Sequence, residues 1–265
     1  MENTVTNLIE ISKKAGEAIL HEYGKTATVE WKADDSPLTR ADRKSHQVIS
    51  SELKRYYPDV PILSEEGSYV SYQERSQWNA FWCVDPVDGT KEFIKKTGEF
   101  TVNIARIENK KPVAGVIYVP ARDLFYYAEK GKGAYKWDRS EGDTEPHKIS
   151  VRQLDKSQID IVASRDHAGP GVKKLINALQ DVRTKSMGSS LKFCLVAEGQ
   201  ADVYYRDIPT FEWDTAAAQI IVEEAGGSVR TTDGNVLSYN KEDLRNPAVI
   251  CMGAEPGFWL EHINK

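Results

Sequence analysis

The sequence predicts a layered α/β fold, with helices and sheets stacked in alternate (α+β) layers. Three observations point there. The chain opens with two segments whose apolar residues recur at helical spacing. Paired strand-like runs joined by tight turns follow, a meander-like pattern. Beyond a polar stretch at 140–146, strands and helices alternate as in βαβ units.

Each element has its own signal. Residues 4–23 carry Val5, Leu8, Ile9, Ala15, Ala18, Ile19 and Tyr23 on one helical face, and Gly24 is a natural stop. Thr39 is a good N-cap for a second helix running through Val48, Ile49, Leu53 and Tyr56 to Pro58. Strand-like runs follow at 61–63 and 81–84. Runs 101–107 and 113–119 flank the turn 108–112 and read as a hairpin, as do 124–127 and 134–137 around Gly131-Lys132-Gly133. The polar segment 140–146 is the best candidate for an exposed connection or a domain boundary, and the chain is divided there into an N-terminal α+β half, 1–145, and a C-terminal α/β half, 146–265. In the second half, 159–163 reads as a buried strand, 172–179 as a helix, 190–197 as a helix and 202–205 as a strand. A last helix to Ala225 is ended by Gly226-Gly227.

Composition narrows function. The chain has 265 residues, 35 Lys+Arg against 40 Asp+Glu, and a formal net charge of −5, which argues against a general nucleic-acid binder while allowing a local pocket for a small anion. No apolar run reaches the length of a membrane span, and the N-terminus lacks a basic segment followed by a continuous apolar one, so a cytoplasmic protein is expected. Cys83, Cys194 and Cys251 form no CxxC pair. They indicate neither a zinc site nor a disulfide framework, and are expected as reduced core residues.

The stretch 82–93, WCVDPVDGTKEF, is the most informative. A strand runs straight into Asp85-Pro86-Val87-Asp88-Gly89-Thr90, where Pro86 fixes φ and Gly89 permits a tight turn. Such a turn can aim Asp85, Asp88 and the Val87 carbonyl at one point, a set of hard oxygen ligands suited to Mg²⁺. Asp, Pro and Gly also make ordinary acidic turns, and local spacing does not choose between the two. Two further carboxylate segments add weight. Glu65 and Glu66 follow the run 61–63, and Asp214 lies near a helix start, where capping or anion binding would also account for it. Asp42 falls in the first turn of the second helix, which dipole stabilisation alone explains.

Together, DPVDGTKEF, the upstream SEE, DSPLTRAD and the downstream EWDTAAAQIIVEEAGG resemble the lithium-sensitive, magnesium-dependent phosphatases of the inositol monophosphatase superfamily, from about Lys32 to Gly227. Within it, DGTKEFI followed by GEFTVNIA resembles the CysQ-type 3′(2′),5′-bisphosphate nucleotidases. Ser164-Arg165-Asp166-His167 is similar to their SRxH segment, and the run from Gly188 and Ser189 to Lys192 and Cys194 to their GSSxKxC segment.

The resemblance implies the sugar-phosphatase fold, an αβαβα sandwich. It implies metal ligation by Glu65, Asp85, the Val87 carbonyl, Asp88 and Asp214, with two or three Mg²⁺ ions and inhibition by Li⁺. It implies that Asp42 and Thr90 orient and deprotonate the attacking water, with Glu66 as a further catalytic candidate. Val87, Asp88, Gly89 and Thr90 match the loop that holds the reacting phosphate, and Glu65 and Asp214 are carried as substrate contacts too. A second phosphate would be met by Ser164, Arg165, His167, Gly188, Ser189 and Lys192, with Ser190 adding a hydroxyl. For Lys192 a solvent-facing helix position is the plain alternative, and for Lys32 an exposed strand end. Tyr204, Tyr205 and Trp213 are candidates to stack on a base, or core residues.

The substrate so implied is adenosine 3′,5′-bisphosphate, with 3′-phosphoadenylyl sulfate as a relative. An inositol monophosphatase or sugar bisphosphatase, and a non-catalytic nucleotide-binding regulator, are the alternatives. A small-molecule nucleotide is the expected partner, to a monomer or homodimer. Peripheral association with the inner face of the cell membrane is carried over from some family members.

Overall fold

A computed structural model describes residues 4–25, 29–31, 37–163, 169–179 and 182–264. The first helices are α1 (Thr4–Tyr23) and α2 (Arg40–Tyr56), and Thr39 caps α2 by accepting the Ala41 N–H. Seven strands then form one sheet in sequence order: β1 (Ile62–Ser64), β2 (Ala80–Asp88), β3 (Thr101–Glu108), β4 (Lys111–Val119), β5 (Leu124–Glu129), β6 (Gly133–Asp138) and β7 (His147–Ile149). Only β1 and β2 are parallel; every later pair is antiparallel. A five-residue helix, α3 (Thr90–Ile94), follows β2.

The second sheet has five strands. In chain order its elements and helices are β8 (Ile159–Ala163), α4 (Pro170–Ala178), β9 (Val182–Ser186), α5 (Leu191–Ala197), β10 (Val203–Arg206), α6 (Glu212–Glu224), β11 (Ser228–Thr231), β12 (Val249–Met252) and α7 (Pro256–Asn264). The strand order is β9-β8-β10-β12-β11, parallel among the first three and antiparallel at β12.

Three apolar clusters define the layers. Strand periodicity of two sends Trp82 and Val84 to one face of the first sheet, against Leu8, Ile11, Ile49 and Leu53 of α1 and α2. It sends Phe81 and Cys83 to the other face, against Leu195 and Val196 of α5 and Ala217 and Ile221 of α6. Those two helices also cover the second sheet through Tyr204, Val229 and Cys251. The second sheet's far face packs Ile161, Val203 and Ile250 on Val172 and Leu175 of α4 and Trp259 of α7. The result is α1α2, sheet, α5α6, sheet, α4α7: the expected αβαβα order.

The structure departs from the expected elements in particular places. β2 does not end at Val84 but continues through Pro86 to Asp88, with a bulge. The hairpin turn after β3 is tighter than 108–112, because Asn109 and Lys110 both take positive φ (48° and 64°) and β4 begins at Lys111. The polar segment 140–146 is the exposed connection between paired strands β6 and β7, so the expected division at residue 145 falls inside a hairpin of the first sheet. Strands β9, β11 and β12 and helix α7 carried no sequence expectation. No helix among the described residues is long and apolar enough to cross a membrane.

Candidate active site

The site grows from the bulge at the end of β2. In the β2–β3 ladder Asp85 pairs with Asn103 and Asp88 with Thr101, so β2 carries one residue more than its partner between these pairs. Pro86, which has no N–H to give the ladder, sits in the bulge. Its carbonyl accepts the Ser45 hydroxyl at 2.7 Å, tying the bulge to α2. The Asp85 Oδ1 accepts the Val87 N–H at 3.0 Å. Gly89 then turns the chain with φ 89°, a left-handed conformation, and a Cβ there would lie 3.1 Å from the Ser189 side chain.

Two other elements deliver carboxylates to the same place. β1 is parallel to β2, and the Glu65 N–H continues that ladder to the Val84 carbonyl at 3.1 Å, which brings Glu65 alongside Asp85. Asp214 enters on the first turn of α6, where its Oδ2 accepts the Phe211 N–H at 2.8 Å. Carboxylate oxygens of Asp85, Asp88 and Asp214 all lie within 4.8 Å of one another. Burial, then repulsion from Glu65, Asp88 and Asp214, holds the Asp85 carboxyl well above the usual carboxylate range. Burial and then Asp88 push Asp214 up to about 8, against the pull of the Phe211 amide and Arg206. Negative groups gathered this closely call for either protons or a cation. Oxygen-only donors fit a hard divalent ion such as Mg²⁺, so the residues present suit the metal expected of them.

Beside this cluster, Thr90 donates its hydroxyl to Asp42 Oδ1 at 3.0 Å and also lies 3.3 Å from the Val87 carbonyl. Asp42 Oδ2 accepts both the Thr39 N–H (2.8 Å) and the Thr39 hydroxyl (2.6 Å). Asp42 thus caps α2 and faces Thr90 at once. Burial raises its carboxyl. The Thr39 and Thr90 hydrogen bonds oppose that rise, and the charge of nearby Glu66 adds to it.

A cavity of about 230 Å³ is lined by Asp88 and Asp214 together with Lys192, Tyr204 and Arg206. The segment leading into α5 forms one wall. The Gly188 N–H is held by Glu99 Oε2 at 2.9 Å, and a Cβ on Gly188 would meet Glu92 and Glu99 atoms at 2.7–2.9 Å, so only glycine fits without rearrangement. The Ser190 N–H donates to Asp88 Oδ2 at 2.6 Å, while Ser190 Oγ donates to Asn103 Oδ1 at 2.9 Å. Lys192 is not the solvent-facing residue its helical position allowed. It is buried, its ammonium donates to the Ser189 carbonyl at 2.6 Å, and it lies 5.5 Å from the Tyr204 ring centre. Burial lowers its pKa.

Other candidates separate. Tyr204 lines the cavity; Tyr205 faces the opposite side of the second sheet; Trp213 stacks on Phe211 at 4.9 Å. Cys83 is fully buried toward the central helices, and burial raises its thiol pKa. Lys32, Ser164, Arg165 and His167 lie outside the described residues. The sequence reading missed Arg206, Lys91, Glu92, Phe193 and Thr210, which also line the cavity. For Arg206 a signal existed: it stands two residues beyond Tyr204 on one strand and so shares its face.

A model of the inositol monophosphatase family matches residues 1–265. Among curated relatives, the 3′(2′),5′-bisphosphate nucleotidases CysQ of Salmonella typhimurium and of Escherichia coli K12 are each 44% identical to this chain over 241 residues, spanning 90% of it and 95% of their own length. Among solved structures, CysQ from Bacteroides thetaiotaomicron, described as a bacterial member of the inositol monophosphatase family, superposes with a TM-score of 0.83 at 42% identity, covering 95% of this chain and 97% of its own. An IMPase of Thermotoga maritima gives 0.81 at 25% identity, covering 98% and 96%.

Proposed function

The chain belongs to the inositol monophosphatase family, and from that premise we propose that it is a metal-dependent 3′(2′),5′-bisphosphate nucleotidase, removing the 3′-phosphate of adenosine 3′,5′-bisphosphate to give AMP and phosphate. The relatives' activity supports the substrate. The carrying observation in the molecule is a carboxylate cluster, Asp85, Asp88 and Asp214, bordering a cavity that Lys192 and Arg206 also line. The carboxylates suit cations, and the cationic side chains suit a second phosphate.

Glu65, Asp85, the Val87 carbonyl, Asp88 and Asp214 would hold two or three Mg²⁺ ions. When bound, these supply positive charge against the phosphoryl oxygens and acidify the attacking water. The remaining work falls to side chains. Thr90, its own hydrogen committed to Asp42, presents lone pairs that accept a hydrogen bond from water and orient it for attack. The proton leaves through the Thr90 hydroxyl to Asp42, whose raised pKa makes it a better acceptor than an ordinary carboxylate. Thr39 fixes Asp42 in place, and Glu66 adds its charge from nearby. The turn from Val87 to Thr90 cradles the reacting phosphate. Arg165, His167 and Lys192, with Ser164, Gly188 and Ser189, serve the other.

Phosphate release from adenosine 3′,5′-bisphosphate, 3′-phosphoadenylyl sulfate, inositol 1-phosphate and fructose 1,6-bisphosphate, with and without Mg²⁺, tests the reading. Mg²⁺-dependent preference for the adenosine substrates is expected. Preference for the inositol or sugar phosphate would replace it with another activity of the family, and no release from any of them with a non-catalytic role. Li⁺, a hard ion of similar size but half the charge, should inhibit at millimolar concentration where Na⁺ and K⁺ do not; equal effects of all three would point to ionic strength.

A further inference from the structure

We infer that Arg75, Lys241 and Glu212 form a buried clamp that positions the Asp214 carboxylate for metal, and so tunes metal affinity from outside the cluster. The inference rests on the metal-dependent part of the proposed function and adds three positioning residues to it.

The argument begins with where the acidic groups come from. Asp85 and Asp88 share β2, whereas Asp214 arrives on α6 and Glu65 on the segment that leaves β1. Contacts between segments must therefore bring the last two to the others. Between β1 and β2 the chain makes one helical turn, Tyr72–Arg75, and Arg75 is buried. Its guanidinium donates to Asn240 Oδ1 at 3.0 Å and to the carbonyls of Lys241 and Glu242 at 2.5 and 2.7 Å, while the Arg75 carbonyl accepts the Asn240 side-chain amide. The connection that starts at Glu65 is thereby stapled to the segment 240–242.

That segment in turn grips the start of α6. Glu212, the first residue of the helix, is fully buried. Its carboxylate accepts the Asn240 N–H at 2.6 Å, the Lys241 N–H at 2.9 Å and the Lys241 ammonium at 2.7 Å. The same ammonium donates to Asn246 Oδ1 at 3.1 Å, and the Asn246 amide donates to the Phe211 carbonyl at 2.7 Å. Phe211 is the residue whose N–H holds Asp214 Oδ2. The path from Arg75 thus ends on the carboxylate itself.

A buried charge is costly unless it is paired and hydrogen-bonded. Glu212 is neither among the residues lining the cavity nor in the Asp85, Asp88 and Asp214 group. Its charge does its work through registry, by fixing where the first turn of α6 stands relative to the end of β2. Groups that orient a ligand in this way govern metal affinity although they do not touch the ion.

The test measures Mg²⁺ binding to the metal-free protein by titration calorimetry at pH 8, in the wild type, Arg75→Met and Lys241→Met. Each variant should bind Mg²⁺ about 10–100-fold more weakly, the scale for losing a group that orients a ligand. At saturating Mg²⁺ the KM for adenosine 3′,5′-bisphosphate should hold. Val172→Ala separates out lost stability: it opens a cavity in the outer α4–α7 layer and lowers the thermal midpoint, and its Mg²⁺ affinity should equal that of wild type. Lys241 is partly exposed, so Lys241→Met decides the matter if Arg75→Met does not fold. Unchanged Mg²⁺ affinity in the folded variants, or an equal loss in Val172→Ala, overturns the inference and leaves the metal-dependent reading standing. A wild type that binds no Mg²⁺ is a different failure: it ends the metal-dependent reading, and the clamp with it.

Discussion

Thr90 and Asp42 share one hydrogen bond of 3.0 Å, and the proposed proton route uses both ends of it. Thr90→Ala and Asp42→Asn should therefore each lower kcat by a large factor, with KM changing little. The double variant should lose less than the product of the single losses, since either change already breaks the unit. Simple multiplication would leave Asp42 as the cap of α2 and nothing more. The positions of both residues were legible in the sequence, because a cap and a post-glycine turn are local signals, whereas their joint role came from the family resemblance alone. The carboxylates were legible for the same reason: Asp85, Asp88 and Asp214 sit at ends of elements that announce themselves through apolar runs. Arg206 was not, since the strand reading stopped at Tyr205, one residue short. Nor was the burial of Lys192, because what covers it, Tyr204 and the Ser189 turn, comes from distant parts of the chain.

At the scale of elements, the sequence revealed what is amphipathic or apolar and concealed what is polar or shared. Helices α1 and α2 each show one apolar face, and β8 is a short apolar run. β9, with sequence VRTKS, is an edge strand whose charged and polar side chains disguise it, as edge strands commonly do. The Pro86 bulge misled in the opposite direction, because proline reads as the end of a strand when it is in fact a kink within one. Contact between layers is invisible to any local pattern, and Gly115 shows what it demands. It lies on β4 where α6 crosses, and a Cβ there would fall 2.8 Å from Ile220 Cγ2 and 3.0 Å from Ala217 Cα. Gly115→Ala should cost about 1–3 kcal/mol by overpacking. That would lower the thermal midpoint by several degrees, read by circular dichroism. A midpoint equal to wild type would mean that α6 can lift from the sheet freely.

Taken whole, the molecule buries a set of like charges between its layers, and that has a consequence for stability that metal should reverse. Asp214 has a folded-state pKa of about 8 against an ordinary 3.8, and Asp85 is raised as well. Between those pH values the metal-free folded state retains protons that the unfolded chain has released. Stability of the metal-free protein must then fall as pH rises through this window, because the folded state binds the more protons. Mg²⁺ competes with those same protons and binds the assembled cluster, which the unfolded chain lacks, so it stabilises by mass action. At pH 6 the ion must displace protons from the cluster; at pH 8 Asp214 has already released about half of its own. The rise in thermal midpoint on adding a fixed Mg²⁺ concentration should therefore be larger at pH 8 than at pH 6. Asp85→Asn removes one charge from the centre of the cluster while keeping its shape, so it should nearly abolish turnover. It should also raise the midpoint of the metal-free protein at pH 8, by relieving repulsion, and shrink the gain from Mg²⁺. An equal Mg²⁺ gain at both pH values that also survives in Asp85→Asn would place the ion away from these carboxylates. The cluster would then be an acidic turn held together by protons, and the water-activating role of Thr90 and Asp42 would lose its partner.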